Sequence, residues 1–200
     1  MVMKTPSINY SDDPAYIERF LTESWVGSRL HHRNIVQFIP ARPTHQFLFY
    51  LMERVEGITL EKWMEGNPKP RPKVIMAIVK QIAEGLKALH KKETIHQDIK
   101  PGNIMITPDG TVKIIDLGSV YVPGIAEIYT PIKQEAVLGT VDYTDPLYMT
   151  GKNPGIKGDV YSFASIVYEM LTGRLPYGKK LENFSMHLDV KKLKYISSRL

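Results

Sequence analysis

The sequence contains no cysteine, which excludes disulfide bonds and metal sites built from thiolates. This absence fits a reducing compartment, and we expect a cytoplasmic location. The sequence also lacks any run of about 18 uncharged apolar residues, so we expect no membrane span. Lys4 and Pro6 interrupt the first apolar residues, so the N-terminus does not have the apolar region of a signal peptide.

The charge balance gives little support to a nucleic-acid partner. The 26 lysines and arginines exceed the 21 aspartates and glutamates by five, which would allow contact with acidic molecules. Part of this excess is local, because residues 179–200 hold six basic residues and two acidic ones. We find no aromatic interleaving and no nucleic-acid-binding module, so we interpret that segment as a solvated basic face.

The length of 200 residues is typical of a single domain, and hydrophobic periodicity predicts both helices and strands in it. Helices are expected from Asp13 through Leu30, over 59–65, from Pro72 to His90 and from Asp159 onward, and strands over 35–39 and 46–52. The third helix has an apolar stripe that we expect in the core, formed by Val74, Ile75, Ile78, Val79, Ile82, Leu86 and Leu89. The last helix is apolar nearly all round, so we expect it to be enclosed on most sides.

The most informative segment runs from Thr94 to Gly118. It begins with a short polar loop that contains His96, Asp98, Lys100 and Asn103. Two apolar runs around Pro-Asp-Gly at 108–110 then predict a β-hairpin, and the second run leads into Asp116. The loop enters the hairpin and the acidic turn leaves it, so Asp98, Asn103 and Asp116 can converge. Such oxygen ligands suit one or two Mg²⁺ ions held together with substrate phosphates.

This segment resembles the catalytic core of eukaryotic-type protein kinases, whose pattern is H-R-D-x-K-x-x-x-N followed by D-F-G. The corresponding residues here are H-Q-D-I-K-P-G-N over 96–103 and D-L-G over 116–118. The resemblance implies an α+β, protein-kinase-like bilobal fold, with a truncated sheet in the N-terminal lobe and a mostly helical C-terminal lobe that is incomplete at its end. It places a remnant of the first lobe at 1–52, the hinge at 53–58 and the second lobe at 59–200.

The resemblance also implies an activity, which is transfer of the ATP γ-phosphate to a serine or threonine of a protein. Asp98 would be the general base, and Asn103 and Asp116 would hold Mg²⁺. Lys100 would face the γ-phosphate, and a lysine two residues after the base is typical of serine/threonine kinases. The implied cofactors are therefore ATP and Mg²⁺.

Further residues are implied to bind the nucleotide. Lys4 is similar to the strand lysine that contacts the α- and β-phosphates and pairs with a helix glutamate. Glu18 and Glu23 compete for that pairing, and we prefer Glu23 because L-H-H-R-N-I-V over 30–36 resembles the family's L-x-H-P-N-I-V. The remaining implied contacts are Met52 as gatekeeper, the backbone of Glu53 and Val55 for adenine, Thr59 for ribose, and Met105 against the nucleotide.

The sequence departs from the family pattern at several positions. Gln97 replaces the arginine that commonly binds a phosphate on the activation loop, so we expect activity that does not require such phosphorylation. The segment L-G-T-V-D-Y-T-D-P-L-Y over 138–148 keeps the family's Gly139, Thr140, Tyr143 and Pro146 but has Asp145 and Leu147 in place of alanine and glutamate. Leu117 for phenylalanine is a mild change, because both side chains are apolar.

A glycine-rich phosphate loop is not found before Lys4, so we expect this chain to be a fragment with weak activity or none alone. The alternative is a pseudokinase-like binding module, and a small-molecule phosphotransferase is less well supported because of Lys100. G-I-A-E-I-Y over 124–129 and L-T-G-R-L-P-Y-G over 171–178 are similar to the kinase halves of bacterial phosphatase–kinase fusion proteins. That similarity implies a phosphatase domain, fused or neighbouring, as a possible partner besides the protein substrate.

Overall fold

The computed structural model describes residues 1–10, 13–40, 47–124, 142–150 and 152–178. The strands in these ranges are β1 (Val2–Lys4), β2 (Phe38–Ile39), β3 (Tyr50–Met52), β4 (Ile58–Thr59), β5 (Ile104–Ile106) and β6 (Val112–Ile114). The α-helices are α1 (Pro14–Arg29), α2 (Leu60–Gly66), α3 (Pro72–His90) and α4 (Ile156–Thr172). Short 3₁₀ turns occur at Ile8–Tyr10, Pro101–Asn103 and Pro146–Thr150. The expectation of an α+β fold is confirmed.

The first sheet is antiparallel, with the strand order β1-β3-β2. The helix α1 contacts it through β2 and begins as expected, because the Asp13 side chain accepts a hydrogen bond from the Ala15 amide at 2.9 Å and Pro14 occupies the first turn. The strands β2 and β3 are shorter than the runs expected from the sequence. Ile35 and Val36 explain part of the difference, because they pair with Ile114 of the second sheet instead.

The second sheet is also antiparallel, with the order β4-β5-β6. The hairpin expected around Pro-Asp-Gly at 108–110 is confirmed, with Ile104 opposite Ile114 and Ile106 opposite Val112. The turn closes through a hydrogen bond from the Thr107 amide to the Thr111 carbonyl at 2.9 Å, and Gly110 adopts a left-handed φ of 81°. One short hairpin therefore fixes the positions of the polar loop before β5 and of the acidic turn after β6.

The long helix α3 packs against β6 and α4. Five residues of its predicted stripe are buried, namely Ile75, Ile78, Ile82, Leu86 and Leu89. Val74 was wrongly assigned to the core, because it lies in the first turn and is 42% exposed. The expectation that α4 is enclosed on most sides was also too broad. Among the described residues, nothing covers Val160, Tyr168 and Leu171, which are exposed.

Asn34 ties the segment after α1 to the second sheet. Its side-chain amide donates to the Val112 carbonyl at 2.8 Å and to Gln81 Oε1 at 3.1 Å. Its own carbonyl accepts from the Ile114 amide at 2.9 Å. Because Asn34 is only 2% exposed, each of these bonds satisfies a buried polar group. Residues of both sheets and of α1, α3 and α4 accordingly share one hydrophobic core.

Within the described residues, none of the helices is both long and apolar enough to cross a bilayer.

We expect Asn34→Ala to lower the free energy of unfolding by about 2 kcal/mol, because the Val112 carbonyl would stay buried without its side-chain donor. Urea denaturation followed by circular dichroism measures this change. Asn9→Ala is the matched control, since Asn9 is exposed, and it should change stability by less than about 0.5 kcal/mol. Equal effects of the two substitutions would contradict the role given to Asn34.

Candidate active site

Lys4 and Glu23 form the ion pair that joins β1 to α1. The Lys4 ammonium lies 2.9 Å from Glu23 Oε1 and 2.8 Å from Oε2. The glutamate side chain is 5% exposed, whereas the lysine side chain is 39% exposed. The structure therefore brings Lys4 together with Glu23 and not with the alternative, Glu18. The half-open lysine can contact a further anion while the carboxylate holds it from behind.

Asp116 lies next to this pair. Its Oδ1 atom is 3.9 Å from the Lys4 ammonium and accepts a hydrogen bond from the Gly118 amide at 3.0 Å. A Cβ atom at Gly118 would lie 3.2 Å from Asp116 Oδ1 and 3.5 Å from Glu23 Oε2. The glycine thus lets the turn after β6 approach both carboxylates. The Asp116 side chain remains 45% exposed, so its carboxylate is open to solvent or to a cation.

Asp98 is the centre of a second polar cluster. Its Oδ2 atom accepts from the Lys100 ammonium at 2.8 Å and from the Asn103 side-chain amide at 2.9 Å. The same amide also donates to the Asp98 carbonyl at 2.9 Å. The 3₁₀ turn at Pro101–Asn103 makes this possible, because it folds the chain back so that Asn103 faces Asp98.

A backbone hydrogen bond joins the loop to the turn after β6. The Ile115 amide donates to the Asn103 carbonyl at 3.0 Å, so Asn103 and Asp116 are held at the same end of the hairpin. The structure thus brings the Asn103 side chain to Asp98, and the Asn103 backbone to the turn that leads into Asp116. The Asn103 side-chain nitrogen is occupied by Asp98, which leaves its Oδ1 as the atom that can face a cation.

Asp159 of α4 holds the backbone of the polar loop that contains Asp98. Its carboxylate accepts from the His96 amide at 2.8 Å and the Gln97 amide at 2.9 Å, and it lies 2.8 Å from His90 Nε2. Gln97 has a left-handed φ of 66°, a costly conformation for a residue with a side chain. The carboxylate compensates for it by binding two consecutive amides. His90 is therefore a structural hydrogen-bonding residue.

His96 is completely buried among the acidic residues. Its Nδ1 accepts a hydrogen bond from the Asp98 amide at 3.3 Å. Burial lowers the pKa of His96 below its usual value, and the nearby carboxylates of Asp159, Asp116 and Asp98 oppose this effect only in part. The imidazole is therefore neutral near pH 7.

The strand β3 leads into the segment expected to bind adenine. Met52 pairs with Val2 on one side and Phe38 on the other. The Glu53 amide donates to the Gln37 carbonyl at 2.8 Å, so its own carbonyl is the backbone group left for a ligand. The Val55 amide has no hydrogen-bond partner among the described residues. A carbonyl acceptor and an amide donor are therefore two residues apart in this segment.

Thr59 and Met105 are opposite each other on β4 and β5. The Thr59 hydroxyl also caps α2 by accepting from the Lys62 amide at 3.3 Å, so it has a structural role whatever else it contacts. Met105 pairs with Lys113 on its other side and is half-buried. The two residues thus lie in the second sheet, directly after the hinge segment.

The sequence reasoning missed Lys113 and Tyr50. The Lys113 ammonium contacts the Glu53 carboxylate at 2.5 Å, and the same carboxylate accepts from the Gln37 amide at 2.8 Å. Tyr50 is buried beside Lys4. Strand alternation could have indicated Tyr50, because it lies two residues before Met52 on the same face. No local pattern links Lys113 to Glu53, which are 60 positions apart.

The departures at Asp145 and Leu147 have a local explanation. Asp145 is buried, and its Oδ1 atom accepts from the Leu147 amide at 2.8 Å at the start of the 3₁₀ turn. Leu147 itself is half-exposed, so no buried charge is left without a partner. Tyr143 donates to Glu169 of α4. Gly139 and Thr140, most of the 124–129 motif and the basic segment 179–200 lie outside the described residues.

We expect acid to destabilise the fold through His96. The pKa of His96 is lower in the folded chain than in the unfolded chain, so the unfolded chain binds more protons as the pH falls below about 6.5. This group should reduce the free energy of unfolding by at most about 1.4 kcal/mol per pH unit in that range. Urea denaturation at pH 7.5 and 5.5 measures the effect.

The matched comparison is His96→Phe, which keeps a buried ring but cannot bind a proton. Its loss of stability between the two pH values should be smaller than that of the parent chain. His31→Ala serves as the control, since His31 is exposed, and it should keep the parent dependence. A His96→Phe variant with the parent's full dependence would show that another group is responsible.

Comparison with known proteins identifies the same family that the sequence motifs resemble. A family model described as "Protein kinase domain" matches residues 1–199. The serine/threonine-protein kinase PrkC of Bacillus subtilis is 32% identical over 177 residues, which is 88% of this chain and 27% of that protein. The serine/threonine-protein kinase PknL of Mycobacterium tuberculosis is 34% identical over 178 residues, which is 88% of this chain and 44% of that protein.

The chain thus spans less than half the length of these curated relatives. The matching segment includes the polar loop, the hairpin and the acidic turn, because the family model extends over nearly all 200 residues. On this match, and on a fold with the expected helices and sheets, the chain belongs to the protein kinase domain family.

Proposed function

We propose that this chain is the catalytic part of a serine/threonine protein kinase, which binds Mg²⁺-ATP and transfers the γ-phosphoryl group to a protein hydroxyl. One observation carries the proposal. The Lys4 ammonium is held by both oxygens of Glu23 while Asp116 Oδ1 lies 3.9 Å away. A cation on one sheet is thereby placed beside a solvent-open carboxylate on the other, which suits a metal-bound polyphosphate.

The donor set of the site fits Mg²⁺. Asp116 offers a carboxylate that is 45% exposed, and the amide orientation of Asn103 leaves Oδ1 available. Among the described residues there is no group of three or more His, Asp or Glu side chains that could hold a metal ion by itself. Mg²⁺ is typically bound by one or two protein oxygens together with phosphates and water. When bound, the ion neutralises charge on the phosphates.

Asp98 is the proposed general base. Lys100 and Asn103 both contact its Oδ2 atom, so the side chain is held in one orientation and Oδ1 is left to accept the hydrogen bond of a substrate hydroxyl. Transfer of the hydroxyl proton to that carboxylate would accompany attack on phosphorus. Lys100 lies 2.8 Å from Asp98 and can offset the negative charge that develops beside it.

The nucleotide would lie between the two sheets. Lys4 is proposed to bind the α- and β-phosphates, with Glu23 fixing its direction. The Glu53 carbonyl and Val55 amide are proposed to bind adenine below Met52, with Thr59 near the ribose and Met105 against the base. This arrangement corresponds to a first lobe at 1–52, a hinge at 53–58 and a second lobe from 59, a division that we also propose.

A protein with an accessible serine or threonine is the proposed substrate, and its support is the kinship with serine/threonine-protein kinases together with Lys100. The phosphatase domain expected as a possible partner stays a prediction. The same holds for the cytoplasmic location and for activity that does not depend on phosphorylation at the activation loop.

We expect the chain to bind Mg²⁺-ATP, so its melting temperature should rise with nucleotide concentration when Mg²⁺ is present. Lys4→Met should weaken binding about tenfold or more, since loss of one charge-assisted phosphate contact costs about 1.4 kcal/mol or more. Thermal-shift titration and calorimetry measure both effects. Lys152→Met, at an exposed lysine outside the site, should bind like the parent chain.

Because we expect weak transfer or none from this chain alone, phosphate transfer is tested with labelled ATP and a generic basic protein on a chain extended to both lobes. Asp98→Asn should reduce the rate by about 100-fold or more, which is the usual contribution of a general base. Asp109→Asn is the matched control, because that carboxylate lies in the exposed hairpin turn. Transfer that survives Asp98→Asn at the rate of the control would refute the assignment of the base. A chain that binds a protein partner but shows no shift with Mg²⁺-ATP would instead support the binding-module alternative.

A further inference from the structure

Tyr50 is a buried aromatic residue at the junction of β1, β3 and α1. It lies opposite Lys4 in the antiparallel register of β1 and β3, so the two side chains are on the same face of the sheet. Its ring is 4.9 Å from that of Phe20 on α1 and 5.0 Å from that of Phe38 on β2. The residue is 4% exposed, and these contacts leave its ring one position.

The hydroxyl of Tyr50 has no role in this packing. It is buried, and none of the described residues meets the geometry of a hydrogen bond to it, although the Glu23 carboxylate lies close enough to act as its acceptor. A buried hydroxyl without a partner costs about 1 to 3 kcal/mol, and phenylalanine would fill the same space without that cost. Such a group in a well-packed core therefore calls for a function.

The Glu23 carboxylate is the charged group that acts most strongly on this hydroxyl. The Lys4 ammonium lies 5.8 Å from the centre of the Tyr50 ring and is bonded to both Glu23 oxygens. Burial raises the pKa of Tyr50 well above its usual value, and Glu23 raises it further through its negative charge and as a nearby hydrogen-bond acceptor. The phenol is therefore protonated at all physiological pH values and can only donate to the carboxylate.

We propose that Tyr50 is a positioning residue, whose hydroxyl donates a hydrogen bond to Glu23 when Lys4 is shared with the phosphates of a bound nucleotide. This inference rests on the proposed nucleotide binding. Lys4 has two anionic partners in that state, so its ammonium is shared between the phosphates and the carboxylate. Glu23 is almost fully buried, and a buried carboxylate that loses part of its pairing is strongly disfavoured. The Tyr50 hydroxyl supplies the missing donor.

The ring and the hydroxyl of Tyr50 therefore have different roles. The Tyr50 ring holds α1 against the first sheet through Phe20. The hydroxyl keeps Glu23 satisfied while Lys4 is shared, so less interaction energy is lost when the phosphates bind. The nucleotide affinity should therefore depend on an oxygen atom that does not touch the nucleotide.

The test is a double-mutant cycle on the 200-residue chain, with Tyr50→Phe, Glu23→Gln and both together. Tyr50→Phe keeps the ring and removes only the oxygen atom, so the variant retains the packing that folding needs. Calorimetry with Mg²⁺-ATP gives the Kd of each variant. We expect Tyr50→Phe to weaken binding about three- to tenfold in the parent chain and less than about twofold in the Glu23→Gln background.

Non-additivity is the readout that a merely structural tyrosine would not produce. Equal weakening in both backgrounds would overturn the proposal, as would an unchanged Kd for Tyr50→Phe. Tyr168→Phe is the control, because Tyr168 is exposed on α4, and it should leave the Kd within about twofold of the parent value.

The unfolding equilibrium of the same four chains separates this proposal from the proposed function. If the parent chain binds no Mg²⁺-ATP, the nucleotide assignment fails, and the unfolding constants without nucleotide then decide about Tyr50. A coupling of about threefold or more between positions 50 and 23 supports a hydroxyl–carboxylate interaction. Additive effects would overturn it.

Discussion

The candidate site depends on one buried carboxylate. Asp159 lies in the first turn of α4 without solvent exposure, and a buried charge is stable only where hydrogen bonds satisfy it. It obtains them from two consecutive backbone amides of the polar loop and from His90 of α3. Because α3 and α4 pack against each other, the rigid helical core holds the loop that presents Asp98. The left-handed backbone at Gln97 is maintained by the same contact.

A second constraint is that contacts must hold the two small sheets together. Lys4 and Glu23 belong to the first sheet and its helix, whereas the aspartates and Asn103 belong to the second. Phosphoryl transfer, the reaction that we propose, depends on positioning more than on covalent chemistry, so the contacts that join the sheets matter as much as the polar groups themselves. The pairing of Asn34 with Ile114 and the ion pair of Glu53 with Lys113 make this connection.

Much of the architecture could be predicted because it depends on local chemistry. The hairpin follows from Pro-Asp-Gly between apolar runs, and the start of α1 follows from Asp13 and Pro14. The predictions were wrong where residues distant in the sequence determine burial or strand pairing. Val74 has the right spacing for the core of α3 but lies in the first turn, beyond the partners that cover the rest of the stripe. The strand expected at 35–39 is divided between two sheets, and no periodicity reveals such a division.

The sequence by itself determined which chemical groups are present and in what order, and the residue types around the hairpin and their spacing predict that Asp98, Asn103 and Asp116 lie at one end of it. The preference for Glu23 over Glu18 also came from the sequence, through the register of the segment that follows α1. Only the tertiary structure decided which atoms meet: the Lys113 contact with Glu53, the loop amides on Asp159 and the Tyr50 ring beside Lys4. Such contacts join positions far apart in the chain, and their energies depend on burial, which is a property of the folded whole.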